Sequence, residues 1–135
     1  MSTNMTNILS EKTLKAIFKG ESFSYDTVYL SLHDGDPTEQ GLHELDYEGY
    51  ERKPMTPEDW EDSSDDSGNF RLKSNTEVVW ESLPGKTITH IGVWDSSEGG
   101  EILWISKLIS NVYVPDGNAF RLSDEKLIAE FNPSS

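Results

Sequence analysis

The sequence predicts a mainly β fold, an antiparallel sandwich or open, jelly-roll-like barrel with one short N-terminal helix. Two observations carry this prediction. From residue 69 to the end, seven short runs rich in β-branched and aromatic residues are separated by turn sequences. Before them, one segment has the apolar spacing of a helix. Because 135 residues can bury a core without disulfides, and the chain has no cysteine, we expect residues 1–135 to form a single domain.

The helix is expected over residues 10–19. Ser10 is a good N-cap, and Gly20 stands where a helix-terminating glycine belongs. Leu9 and Leu14 have the spacing of a hydrophobic staple around that cap. Three apolar residues share one helix face, which we expect to pack on the sheet: Leu14, Ile17 and Phe18.

The segment between the helix and residue 69 contains less regular structure. Residues 28–33 alternate in the period of a half-buried strand, which Asp-Gly-Asp-Pro then ends. Residues 34–68 form a long polar stretch with one short strand expected near 50–55. Its acidic end, PEDWEDSSDDSG, is expected to be a loop that faces solvent. At the other end of the chain, residues 126–131 alternate as a one-sided surface strand does.

The most apolar part of the chain is a predicted hairpin, KTITHIGVWDSSEGGEILWIS, residues 86–106. Its apolar residues fall on both faces of each strand, so both faces need cover. Either the hairpin is the central pair of a sandwich with the helix on its second side, or one face contacts another subunit. We predict that Trp94 and Trp104 are buried in one of these two ways. The candidate interface residues are Ile91, Val93, Trp94, Leu103, Trp104 and Ile105.

The charge balance limits the kind of partner. The formal net charge is −14, which disfavours nucleic acid and anionic membranes because binding to phosphate depends largely on Lys and Arg. The sequence has no apolar run of about 20 residues and no signal-peptide pattern at its start. We expect no nucleic-acid partner and no membrane, and read the acidity as solubility or as an outward surface on a crowded particle.

The sequence contains no catalytic motif. His33, His43 and His90 lie far apart without metal-ligand spacing, and we expect His90 to be a structural histidine within a strand. DGDPTE resembles a calcium loop, but Glu39 stands where an EF-hand has glycine. Nucleophile-elbow, zinc-protease and phosphate-loop motifs are missing. We therefore predict no catalytic residue, no cofactor, no metal site and no enzymatic activity.

Several motifs follow one another in a recognisable order. They are VYLSLHDGDP (28–37), Glu44 followed by YER (50–52), SNTEVVW (74–80) and THIGVWDSSEGGEILWISKL (89–108). The last contains the pattern Gly-h-h-Asp-x-x-x-Gly-Gly, where h is apolar. In this order the chain resembles a family of small bacteriophage virion structural proteins, often labelled phage tail fiber protein, over most of residues 8–131.

The resemblance implies a non-enzymatic building block of the virion, made in the cytoplasm of the bacterial host. Some members of the family look like capsid decoration (cement) proteins. Because the chain is acidic and lacks the repeats of a long fibre, we expect capsid decoration on the particle exterior. The expected partners are copies of the chain, in a trimer or ring, and the major capsid or tail protein. The alternatives are a tail or tail-fibre-associated structural subunit, a carbohydrate-binding module at a tail tip that stacks sugar rings on Trp60 or Tyr50, and a wall-degrading hydrolase.

Overall fold

The computed structural model describes residues 2–123 and 128–130. In chain order its elements are β1 (Ser2–Met5), α1 (Asn7–Lys19), β2 (Val28–His33), β3 (Lys53–Met55), a 3-10 turn (Pro57–Asp59), β4 (Trp60–Ser64), β5 (Phe70–Ser74), β6 (Val78–Trp80), β7 (Lys86–Trp94), β8 (Ile102–Val114), β9 (Phe120–Leu122) and β10 (Ile128–Glu130). The strand expected over 126–131 corresponds to β10, and its other positions lie outside the described residues.

The described strands form three antiparallel sheets. The largest has the order β1-β8-β7-β2-β3, the second β10-β5-β4, and the third pairs β6 with β9. This mainly β architecture with an N-terminal helix confirms the predicted fold class in its sandwich form. The β7–β8 hairpin occupies the middle of the largest sheet, with β2 on one side and β1 on the other. This central position agrees with the first explanation for its apolar character, and a contact with another subunit stays a prediction.

The core is built mainly from β2 and β7, which are buried on both faces over part of their length. Leu30 and Leu32 of β2, with Ile88 and Ile91 of β7, are completely buried. Trp80 of β6 closes the core from the smallest sheet and contacts the Phe120 ring at 6.0 Å between centroids. Among the described residues, no helix has both the length and the apolar character needed to cross a membrane.

The helix begins earlier than predicted. Its first residue is Asn7 and its N-cap is Thr6, so Ser10 lies inside the helix and donates its hydroxyl to the Thr6 carbonyl at 3.0 Å. The Thr6 hydroxyl does not cap the helix but donates to the carbonyls of Ile102 (2.7 Å) and Leu103 (3.0 Å). The early start follows from β1, which pairs with β8 as far as Met5. At the other end, Gly20 is the left-handed C-cap, as predicted.

The predicted packing face of the helix is wrong. Leu14, Ile17 and Phe18 are 57%, 66% and 78% exposed, whereas Leu9 is the buried residue of α1. The anchor at Thr6 sets the rotation of the helix and turns Leu9 inward. The predicted staple between Leu9 and Leu14 is also wrong, because the N-cap is Thr6 and Leu9 lies inside the helix rather than before its cap.

The acidic segment after residue 57 also differs from its prediction. It was expected to be a loop, but Trp60–Ser64 forms β4 and pairs with β5. Most of its acidic side chains are exposed, as predicted. The short strand expected near 50–55 is present as β3.

Candidate functional site

The six candidate interface residues divide into two groups. Ile91, Trp94 and Leu103 are buried inside the protomer, so their side chains are not presented at its surface. The other three are half-buried: Val93, Trp104 and Ile105. Burial of Trp94 is therefore confirmed as a core contact, while the interface role of the half-buried residues stays a prediction.

The motif residues that follow β2 form a partly buried ion pair. Arg52 donates from Nε to Glu44 Oε2 at 2.9 Å and from Nη2 to Oε1 at 3.0 Å, which is a two-point contact between a guanidinium and a carboxylate. The Tyr50 hydroxyl donates to the same Oε2 at 2.6 Å and accepts the backbone N–H of Leu32 at 3.2 Å. The Arg52 side chain is only 8% exposed. The group is thus fixed to β2, an inner strand of the largest sheet.

Arg52 also holds the turn of the β7–β8 hairpin. Its Nη1 donates to the carbonyls of Ser96 (2.9 Å) and Gly99 (2.8 Å). The guanidinium lies over the Trp94 ring, 3.7 Å from its centroid, in a cation–π contact. We call Glu44, Tyr50, Arg52 and Trp94 the hairpin clamp.

The turn itself explains the Asp-x-x-x-Gly-Gly pattern. Asp95 Oδ1 accepts the backbone N–H of Glu101 at 2.8 Å, which closes the loop. Gly99 and Gly100 have positive φ values of 60° and 74°, and a Cβ on Gly100 would lie 2.4 Å from Asp95 Oδ1. The backbone conformation therefore favours glycine at both positions, and the lack of space also requires it at Gly100.

A second network lies beneath the Trp94 ring. The indole N–H of Trp94 donates to Ser31 Oγ at 2.8 Å, and Ser31 Oγ lies 2.6 Å from His33 Nε2. His33 Nδ1 is 2.7 Å from the Leu42 carbonyl, an acceptor only, so Nδ1 carries the proton and Nε2 accepts from Ser31. A Cβ on Gly92 would lie 2.5 Å from Ser31 Oγ. Gly92 thus leaves the space that this network occupies.

The same contacts shift the pKa values of the three titratable residues. Burial lowers the pKa of His33, so the imidazole is kept neutral. Burial alone raises the pKa of Glu44, but hydrogen bonds from Arg52 and Tyr50 outweigh it and the net shift is downward. Burial, followed by the bond to the ionised Glu44, raises the pKa of Tyr50. Each group is held in one protonation state near neutral pH.

The arrangement supports structure better than chemistry. Ser31 and His33 form a serine–histidine contact, but both are 0% exposed, so a substrate has no access to the hydroxyl. A cleft of about 350 Å³ lies beside the clamp and is lined by Asp46, Glu51 and Glu98, among others. The Arg52 side chain in its wall already donates to four protein oxygens. Within the part of the chain that the structure describes, no three acidic or histidine side chains are placed to hold a metal ion.

The residues for which sequence reasoning proposed other roles take part in packing. Trp60 and Tyr50, the two aromatic residues considered for glycan stacking, are half-buried against the core. His33 and His90 face each other on paired strands, a proximity that their sequence separation hid. The clamp was missed as a unit, although the Glu44 and Tyr-x-Arg motifs marked three of its residues.

Comparison with known proteins gives one family. A search of curated proteins finds no match to the chain. The family model of Gp80, described as podophage GP4 fiber I protein gp80, matches residues 4–130. That range includes every residue of the hairpin clamp and of the network beneath it. The description names a fibre protein and does not mention the capsid, so the expectation of capsid decoration is not confirmed. The chain belongs to this podophage fibre protein family and is a bacteriophage structural protein of the tail or fibre type.

Proposed function

We propose that the chain is a non-enzymatic subunit of a fibre on the exterior of the virion, and that it works by packing against copies of itself and neighbouring phage proteins. The observation that carries the proposal is that the polar groups of the hairpin clamp are already bonded to other groups of the protein. The polar groups of the clamp contact one another, and the Ser31–His33 pair of the neighbouring network lies in the interior. Such a network fixes the shape of the central hairpin and leaves no reactive group for a substrate.

The protomer surface supports a role in assembly. Among the large apolar side chains that stand in solvent are Leu14, Ile17 and Phe18 on α1 and Phe70 at the start of β5. Exposed apolar groups of this size are typical of surfaces that contact other proteins. Symmetric assemblies use one such surface repeatedly.

The fibre location is preferred over capsid decoration because of the family. The matched family is named for a fibre protein, whereas decoration rested on acidity and the absence of repeats, which suit many proteins of a particle surface. No feature of the described residues favours the capsid separately.

The location is tested on purified particles of the phage that encodes this chain. Particles made without the protein should lose a fibre density in electron micrographs and keep an intact, DNA-filled capsid. Supplying the wild-type protein in trans should restore the density. A decoration protein would give the opposite pattern, with fibres present and capsids that open at lower temperature or lower ionic strength.

The non-enzymatic role is tested with the Ser31→Ala variant. If its particles infect as well as wild type at a temperature where the variant stays folded, the buried hydroxyl has no chemical role. A loss of infectivity with full assembly and unchanged adsorption would overturn this part of the proposal.

A further inference from the structure

The helix α1 presents three different sides. Leu9 is buried, and the chain before it is anchored to β8 through Thr6. At 3.6 residues per turn, the exposed residues Leu14, Ile17 and Phe18 form a second side, which we call the helix stripe. The third side carries the lysines and borders the stripe next to Phe18: Lys12, Lys15 and Lys19.

The helix stripe needs a partner. Its three side chains are 57%, 66% and 78% exposed, and they are adjacent on the helix surface because their spacing is i, i+3 and i+4. A contiguous group of large apolar side chains is rarely left in water without a function. The fold does not use these residues, since the inward side of the helix is the one that carries Leu9.

Charge decides which kind of partner fits. Three lysines and one glutamate lie on α1, in a chain whose formal net charge is −14. Two antiparallel helices packed stripe to stripe would bring the lysine sides of both copies together, which is unfavourable. An acidic surface is instead attracted to the lysine side while its apolar part covers the stripe.

The chain carries such a surface on a different element. The residues from Glu58 to Phe70, which we call the acidic arm, contain β4 and the turn into β5. The arm has six acidic residues and no lysine or arginine: Glu58, Asp59, Glu61, Asp62, Asp65 and Asp66. Phe70 at its end is 62% exposed and supplies an apolar group beside these charges.

We infer that the helix stripe of one copy docks the acidic arm of a second copy. This inference rests on the proposed self-association and names the two surfaces that make it. The contact is head-to-tail, because the two surfaces differ, and such contacts close into rings or trimers when the rotation permits. The arm was expected from the sequence to face solvent because like charges repel, but here its acids meet lysines at the rim of an apolar contact.

The test uses two variants with opposite defects. Ile17→Asp damages the stripe and leaves the arm intact. Asp62→Lys with Asp66→Lys damages the arm and leaves the stripe intact; Asp65 is kept because its carboxylate holds the turn through the N–H groups of Ser67 and Asn69. Ile109→Asp on β8 is the matched control, since it changes an isoleucine that is also exposed. Circular dichroism checks that every variant is folded.

Sedimentation velocity then distinguishes the alternatives. The wild type and Ile109→Asp should associate, and each defective variant alone should associate at least tenfold more weakly. An equimolar mixture of the two defective variants should form a one-to-one dimer and nothing larger, because only one intact pair of surfaces remains. High salt should weaken the wild-type assembly by screening the lysine–carboxylate contacts.

Three results overturn the inference. If the arm variant assembles like the wild type, the acidic arm is not the docking partner and a symmetric contact between helices is indicated. If the Ile17→Asp variant assembles normally, the helix stripe is not a docking surface. If the wild type stays monomeric at high concentration, the chain does not associate with itself through this surface. In each case, virions that contain the protein in their fibres leave the fibre location intact. The two variant results also leave the proposed self-association standing, whereas a monomeric wild type removes it together with this inference.

Discussion

The guanidinium of Arg52 lies 3.7 Å from the centroid of the Trp94 ring and donates to two carbonyls of the turn that follows Trp94. These residues are distant in sequence but adjacent across the sheet, because β2 pairs with both β3 and β7. The contact holds the turn of the central hairpin, which lies beyond the strand pairing of the sheet. It also explains why the Tyr-x-Arg and Gly-Gly motifs occur in the same sequence.

Removal of Arg52 should be strongly destabilising. Arg52→Ala leaves the partly buried Glu44 carboxylate without its cation and frees the carbonyls of Ser96 and Gly99. Because the Glu44 side chain is 21% exposed and keeps its hydrogen bond from Tyr50, the expected loss is about 1–3 kcal/mol of unfolding free energy, less than for a fully buried pair. Arg52→Lys should also destabilise, because an ammonium cannot make the two-point contact. Urea unfolding followed by tryptophan fluorescence measures both.

A surface ion pair provides the control for this change. Arg121 bonds Glu77 at 3.1 Å, and both side chains are about half exposed. Arg121→Ala should therefore cost less than about 1 kcal/mol. Equal losses at the two arginines would mean that the clamp does not stabilise the hairpin.

The sequence predicts most strands because their signals are local. β-branched runs and Pro-Gly or Asp-Gly turns mark β5, β6, β7, β9 and much of β8. Two strands lack such signals: β1 is Ser-Thr-Asn-Met, and β4 is acidic. Their pairing is decided by neighbouring strands, β8 for β1 and β5 for β4, and a polar segment gives no sign of this in advance.

The candidate site is harder to predict because it depends on contacts across the sheet. The motifs identified Glu44, Arg52 and the Gly-Gly turn, but spacing does not show that they meet. The orientation of α1 is a second example. Periodicity found the stripe of Leu14, Ile17 and Phe18 correctly, but Thr6 determines which side of the helix faces the sheet.

Gly92 should not tolerate a methyl group while Ser31 is present. A Cβ at this position would lie 2.5 Å from Ser31 Oγ and 2.9 Å from His33 Nε2, so Gly92→Ala should lose about 1–3 kcal/mol through overpacking. Ser31→Ala alone should also destabilise, because it removes the acceptor of the Trp94 N–H. The double variant should lose clearly less than the sum of the two, since the serine oxygen is the atom in the way. Strict additivity in denaturant titrations would contradict this account of Gly92.

Trp94 should contribute through both its ring and its N–H. Trp94→Ala removes a buried ring and should cost about 3–5 kcal/mol. Trp94→Phe keeps an aromatic face for Arg52 but removes the N–H that donates to Ser31, so a smaller loss of about 1–3 kcal/mol is expected. The half-buried Trp104 is the comparison, and Trp104→Ala should cost less than Trp94→Ala in the free protomer. If Trp104→Ala costs more than Trp94→Ala in thermal or chemical unfolding, the hairpin is stabilised mainly through the contacts of Trp104.

The neutral His33 should make the protein lose stability as the pH falls below about 6.5, the ordinary histidine pKa. Burial lowers the pKa of His33 in the folded state, so below that pH the unfolded chain binds a proton that the folded one does not. Stability is therefore complete above about 6.5 and declines at lower pH, with a slope of at most about 1.4 kcal/mol per pH unit from this residue. His33→Asn keeps a donor for the Leu42 carbonyl without a titrating ring, and should flatten the dependence of the unfolding free energy on pH between 7.5 and 5.5.

His90→Gln is the control for this change. The pKa of His90 is also lowered by burial, but its side chain is more exposed, so its removal should change the slope less. Unfolding free energies measured by urea titration at several pH values give the slopes, and a His33→Asn variant that retains the wild-type slope would assign the dependence to another group.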